Sequence, residues 1–176
     1  MIVDFALYRN GVRVPGIDSM TTLHDQAENG EGFAWVGLAE PTESELKRVF
    51  GRFQLHETAI EDAVSAAQRP KLEEFGGLKT FVIRTVFYDD TKSSITTGEL
   101  ICFINPNFII IVRHGSGAPL VTVRHELEEK PDFMAHGPMA VLHGVINRVI
   151  DEYTKIAAEL EKDVVQIETE VFSNSR

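Results

Sequence analysis

Glu61 and Asp62 stand side by side in the stretch ETAIEDAVSAAQRPKLEEF, among small and apolar residues, just before a break at Gln68-Arg69-Pro70-Lys71. Carboxylate oxygens are hard donors and suit a hard cation such as Mg²⁺. Neighbouring positions on a helix point about 100° apart, so the two groups diverge and do not share one proton as a general-acid dyad. Each can instead offer an oxygen to a different cation, above all where a second carboxylate comes from an adjoining subunit. The bland reading, two solvated charges on a helix edge, stays open on these residues alone.

Other groups carry weaker signals of chemistry. His143, Asn147 and Asp151 recur every four residues and so share one helix face, but a zinc site normally has three protein ligands and an oriented second shell. His24, His56, His114, His125 and His136 are scattered, and surface or helix-end positions are expected for them. Gly115-Ser116-Gly117 lies between a strand and a helix like a phosphate loop, yet it lacks the Gly-Lys-Ser/Thr ending and reads as a turn. Arg69 and Lys71, close to Glu61, Asp62, Glu73 and Glu74, are expected to form ion pairs that fix a helix–strand junction.

The elements that position these groups follow from pattern and composition. At 176 residues with 43% apolar content, the chain has the length and the apolar supply for one domain with its own core. A formal charge of -10 repels phosphate backbones and anionic lipid and attracts cations, so nucleic acid is not an expected partner. Cys102 is the only cysteine and sits in an apolar run, which predicts a buried thiol and a reducing compartment. No apolar run approaches the roughly 20 residues needed to cross a bilayer, and the first residues lack a signal-peptide pattern.

Strands are predicted at 2–8, 33–39, 72–75, 78–88, 97–104 and 108–113, the last two joined as a hairpin across Asn105-Pro106-Asn107. The segment FIIIVR is apolar on both faces, so its strand should be central and covered on each side. Helices are predicted at 19–27, from Thr42 to about Arg52 behind a Thr42–Glu45 capping box, at 55–67, at 119–130 up to Pro131, and from about Pro138 almost to the C-terminus. In that last helix Met139, Leu142, Ile146, Val149, Tyr153, Ile156, Leu160, Val164, Ile167 and Val171 form one narrow apolar seam. At 1.5 Å per residue it extends roughly 50 Å, so its far end should project and need a partner. The chain stops at Phe172-Ser173-Asn174-Ser175-Arg176 without a cap or a returning helix, which reads as a truncation.

The order of Trp35 to Leu38, Pro41-Thr42, Phe53 with Leu55-His56, Ile60-Glu61-Asp62 and Gln68-Arg69-Pro70-Lys71 resembles the N-terminal cytoplasmic domain of CorA-type magnesium and divalent-cation transporters, of the CorA/ZntB superfamily. The later GPMAVLHGVINRVIDEYTKIAAELEKDVVQIETEVF looks like the family's helix before the stalk. The resemblance implies a homopentamer with two membrane helices per subunit near the C-terminus, in the cell's inner membrane, and a cytoplasmic funnel in which Mg²⁺ bound between neighbouring domains holds the channel closed. It implies that Asp62 faces an acidic residue of the adjacent subunit's stalk. It also implies that Glu61 joins a second metal site with the residue at Asn147, where the family often has a carboxylate. Gly37 and Ala67 depart from a common Asp/Asn and a common His.

The combined expectation is an α/β (α+β) fold: a central mixed, largely antiparallel sheet with helices on both faces, an α/β/α sandwich over about 1–135, and a long helix over about 137–172 leading to an absent stalk and membrane segment. The expected function is that of a non-enzymatic metal-sensing and gating domain, with Asp62, Glu61 and Asn147 as metal ligands. Mg²⁺ is the expected regulatory ion, with Co²⁺, Ni²⁺ or Zn²⁺ as further candidates, and self-association and divalent cations are the expected partnerships. The rival readings are a soluble metal-dependent hydrolase using Glu61 and Asp62 and a stand-alone oligomerising interaction module.

Overall fold

The structure, a computed structural model, describes residues 1–65, 68–89, 91–92, 94–115 and 120–173. Its strands are Ile2–Arg9 (β1), Val12–Arg13 (β2), Phe33–Ala39 (β3), Lys71–Phe75 (β4), Leu78–Asp89 (β5), Ser94–Asn105 (β6) and Phe108–Gly115 (β7). Its helices are Met20–Glu28 (α1), Glu43–Arg52 (α2), Glu57–Val64 (α3), Leu120–Glu128 (α4), Pro131–Met134 (α5) and Pro138–Phe172 (α6).

The strands form one seven-stranded sheet in the order β2-β1-β3-β7-β6-β5-β4. Only β3 and β7 pair in parallel among the described strands, so the sheet is mixed and largely antiparallel, as expected. β7 lies in its middle. Phe108, Ile110 and Val112 enter the core on one face, while Ile109 and Ile111 enter the core on the other. Each such side chain contributes roughly 1.5–3 kcal/mol by leaving water, which is why a strand apolar on both sides settles at the centre.

Leu23 and Ala27 of α1, Leu46, Val49 and Phe50 of α2, and Ala59 and Ala63 of α3 cover one face. Val123 and Leu127 of α4, Met134 of α5, and Val141, Leu142, Val145 and Val149 of α6 cover the other. The α/β/α layering follows from this division. The Thr42–Glu45 capping box opens α2, with both reciprocal bonds formed. In the β6–β7 turn the Asn105 side chain accepts from the backbone N–H groups of Asn107 and Phe108, both at 2.9 Å.

Four details differ from expectation. The two residues of β2 were not anticipated; Asn10 and Gly11, at φ 50 and 79, make a tight turn of the primed type that returns the chain onto β1. Pro131 does more than end α4, because it sits in the first turn of α5, where a missing N–H costs nothing. α3 begins at Glu57 and ends at Val64, so the predicted helix 55–67 is shorter; Ala66 and Ala67 lie outside the described residues. In α6 the buried stripe runs through Val141, Leu142, Val145 and Val149, and Met139 is 53% exposed. A helix lying on a sheet buries a face wider than the narrow seam of a helix pair.

α6 follows β5 further than a freely projecting helix would. The Tyr153 hydroxyl donates to the carbonyl of Arg84, and the Tyr88 hydroxyl donates to Asp163 Oδ2 at 2.5 Å. Beyond these anchors Val164, Ile167, Val171 and Phe172 are exposed. No described helix is long and apolar enough to cross a membrane.

Candidate metal-binding face

α3 starts where His56 caps it, its Nδ1 accepting from the Thr58 N–H at 3.3 Å. Ala59 and Ala63 press the helix onto the sheet. That rotation leaves Glu61 exposed and Asp62 half-buried at the helix edge. The Asp62 carboxylate is already balanced: Lys71 Nζ lies 3.2 Å from Oδ2 and 2.9 Å from Glu73. Glu73 first, and Asp62 after it, hold the Lys71 ammonium above its usual range against the opposing effect of burial. Gln68 Nε2 donates to the Asp62 carbonyl at 2.6 Å. The polar residues after α3 thus clamp its last turn to β4, as the expected ion pairing of Lys71 required; Arg69 is exposed.

Behind α3 lies a network that sequence spacing did not reveal. His114 on β7 contacts the Ala63 carbonyl through Nε2 at 2.8 Å and Glu40 Oε2 through Nδ1 at 3.2 Å. The Gly115 N–H donates to Glu40 Oε1 at 2.6 Å. That backbone bond, and then the histidine, hold the Glu40 carboxyl below its ordinary value. On the same sheet face Glu99 is buried opposite Arg84, with Arg84 Nη1 4.0 Å from Oε2 and neither carboxylate oxygen hydrogen-bonded among the described residues. These residues are 15 to 75 positions apart in pairs, and only the register of β5, β6 and β7 makes them neighbours.

Asn147 is exposed on α6, its side chain 3.3 Å from His143 Nδ1. It lies on the helix that covers the opposite sheet face from α3, so one chain does not bring Glu61 and Asn147 to a common point. His143 packs edge-on against Phe133, ring centroids 5.3 Å apart. Among the described residues no group of three or more His, Cys, Asp or Glu side chains is placed to hold a metal ion. Cys102 is buried, and burial pushes its thiol up to about 12, which leaves it inert. Of the glycine turn, Gly115 adopts φ 70, and Ser116 and Gly117 lie outside the described residues.

Residues 30–176 match the family model described as CorA-like Mg²⁺ transporter protein. The chain belongs to that family. YfjQ of Bacillus subtilis (strain 168), whose name marks it as a candidate metal ion transporter, is 27% identical over 76% of this chain and 41% of its own length. The cobalt/magnesium transport protein CorA of Thermotoga maritima is 19% identical over 78% of this chain and 40% of its own. The soluble domain of CorA from Methanocaldococcus jannaschii superposes with a TM-score of 0.70 at 17% identity, covering 98% of this chain and 66% of that one, and shares the fold. The chain therefore spans about two fifths of the length of the curated relatives it matches.

Proposed function

We propose that this chain is the cytosolic metal-sensing and gating part of a CorA-type divalent-cation transporter that works as a homopentamer in the cell's inner membrane. One observation carries the reading: in a chain of this family with a formal charge of -10, Asp62 is presented at the open edge of α3 with, among the described residues, a single lysine as its counter-ion. In this reading residues 1–135 form the sensing sandwich and 137–172 lead to the stalk and membrane segment. Mg²⁺ binds between Asp62 and an acidic group of the neighbouring subunit, retaining several of its waters, as a small hard ion with few carboxylate ligands does. Co²⁺, named with magnesium for the Thermotoga relative, together with Ni²⁺ and Zn²⁺, would compete for the same oxygens.

Gating follows from differential affinity. Without the ion, facing carboxylates repel across the interface; with it, the closed arrangement gains ligands that an open one lacks. Glu61 and Asn147 lie on helices that cover opposite sheet faces, so an ion held by both draws them from two subunits. Chemistry on a substrate has no place in this role.

Two variants of the full-length transporter test it. Asp62→Ala removes a ligand and part of the repulsion, so Mg²⁺ inhibition weakens while closure stays possible. Asp62→Lys places a fixed cation opposite the neighbour's carboxylate, mimicking the ion, so flux falls even in low Mg²⁺. Ion flux into proteoliposomes at graded internal Mg²⁺ separates them, and wild-type inhibition in both would return Asp62 to a solvated helix edge.

A further inference from the structure

The two parallel neighbours in the sheet, β3 and β7, send the chain to opposite faces. β3 leads to α2 on one side, and the next helix after β7 is α4 on the other. In open sheets the crevice beyond the carboxyl ends of such a pair is where ligands are held. Here a cavity of about 250 Å³ lies there, on the α4 side, between the sheet and that helix.

Its walls and its mouth differ in chemistry. Trp35 and Ile111 from the sheet and Leu120 and Val121 from α4 make an apolar lining. Arg13, Arg113 and Arg124 also line it, against the single carboxylate of Asp4. Three of the chain's 17 basic residues thus converge in a protein of charge -10. Arg124 is buried and fixed: its guanidinium lies 4.0 Å from the Trp35 ring centre, 3.0 Å from the Tyr8 hydroxyl and 3.3 Å from Asp4. Arg13 is 3.1 Å from Asp4 and 3.4 Å from Glu128. Arg113 is half-buried and makes no hydrogen bond or ion pair through its side chain among the described residues, Glu40 reaching it only through a longer-range field.

Gly37 opens the space. It stands between Trp35 and Ala39 on the same strand face, and a Cβ added there would meet only the Asp4 carbonyl, at 3.7 Å. A side chain therefore fits in the strand, and its absence leaves the volume free.

We propose that this crevice binds a small organic carboxylate, with Arg113 gripping the carboxylate beside the fixed Arg124 and the apolar lining flanking a compact hydrocarbon or aromatic body. A guanidinium fork matches a carboxylate in two parallel hydrogen bonds. The volume is below that of a typical drug-sized site, which excludes nucleotides. The site lies across the sheet from Asp62, so it stands or falls independently of the metal-sensing reading.

Trp35 is the only tryptophan of the chain, so its fluorescence reports directly on the crevice. Titration with 3-methylbutanoate and with benzoate, with inorganic phosphate as an anion lacking an apolar body, is the experiment. At least one of the two carboxylates gives a saturable change; Arg113→Gln weakens it by about tenfold or more, the loss of a charge-assisted pair. Gly37→Leu fills the crevice and removes the response while circular dichroism shows an intact fold. The proposal is overturned if neither carboxylate gives a saturable change with the folded wild type, if phosphate binds as tightly, or if either folded variant keeps the wild-type affinity.

Discussion

If Asp62 serves a divalent ion, Lys71 is its resident competitor, and removing that lysine should tighten ion binding by a bounded amount. The ammonium sits 3.2 Å from Oδ2, and the two side chains are 27% and 36% exposed, so solvent screens the pair and the range measured for exposed ion pairs applies, about 0.2–1 kcal/mol. With RT near 0.59 kcal/mol, Lys71→Met should strengthen Mg²⁺ binding at Asp62 by about 1.4- to 5-fold. Methionine keeps most of the aliphatic stem, so the packing of β4 beside α3 survives. The assay is a Mg²⁺ titration of the chain followed by the amide resonances of residues 60–64. Lys71→Arg should stay near wild type and Asp62→Asn should abolish the response in both backgrounds. Unchanged or weaker binding in a folded Lys71→Met protein would refute competition for Asp62. A gain far beyond fivefold would mean that the pair is much stronger than its exposure implies.

Tyr88→Phe combined with Tyr153→Phe should release the outer half of α6, seen as faster hydrogen exchange over residues 150–165, a loss of protection of about 2–4.5 kcal/mol, one bond being to a carboxylate and one to a carbonyl. Phe50→Ala removes a fully buried ring 4.9 Å from that of Phe103 and should cost about 3–5 kcal/mol in urea unfolding. Gly11→Ala should destabilise by more than about 2 kcal/mol, because φ is 79 and the new Cβ would fall 1.9 Å from the Pro131 carbonyl oxygen; a neutral result would refute the contact between the β1–β2 turn and α5. Glu40 has a folded value below its ordinary 4.5, so its contribution is present above that pH and is lost as pH falls through the depressed value. The stability gap between wild type and Glu40→Gln should therefore close on acidification, as urea midpoints at several pH values would report.

Local rules are visible in the chain wherever the neighbours in sequence are the neighbours in space. The Thr42–Glu45 box, the Asn10-Gly11 turn, the two-faced apolar β7 and the length of α6 all follow from residues within one element. Asp62 was legible as an acidic group beside a break, and the pairing of Lys71 as a consequence of opposite charges nine positions apart. Other features depend on topology. The parallel pairing of β3 with β7 is separated by about 75 residues in the chain, and that pairing brings Trp35, Ile111 and Arg113 into one crevice. Glu99 reads as a solvated charge in a strand, and only the register of β6 between β5 and β7 buries it. Period alone puts Met139 in the seam, yet it is 53% exposed, because period does not say how wide a face the partner covers.

The magnitudes decide how a metal signal can travel. α3 is pinned to the sheet by Ala59 and Ala63, by the His114 contact to the Ala63 carbonyl and by the Gln68 and Lys71 clamps, while α6 is pinned by Tyr88 and Tyr153 to β5 of the same sheet. An ion at a half-exposed carboxylate contributes on the order of 1 kcal/mol of differential energy, well short of the several kcal/mol needed to repack a core of fully buried side chains. In the proposed sensing role the domain is thus expected to move as a body, with the change concentrated at the proposed contacts between subunits. Reversing a two-state population from 1:99 to 99:1 takes about 5.5 kcal/mol. In the proposed homopentamer five equivalent sites at about 1 kcal/mol each approach that figure, whereas one site does not. Weak ligation at a half-exposed Asp62 would therefore give steep gating only if the five copies of the proposed pentamer act on a common conformational change.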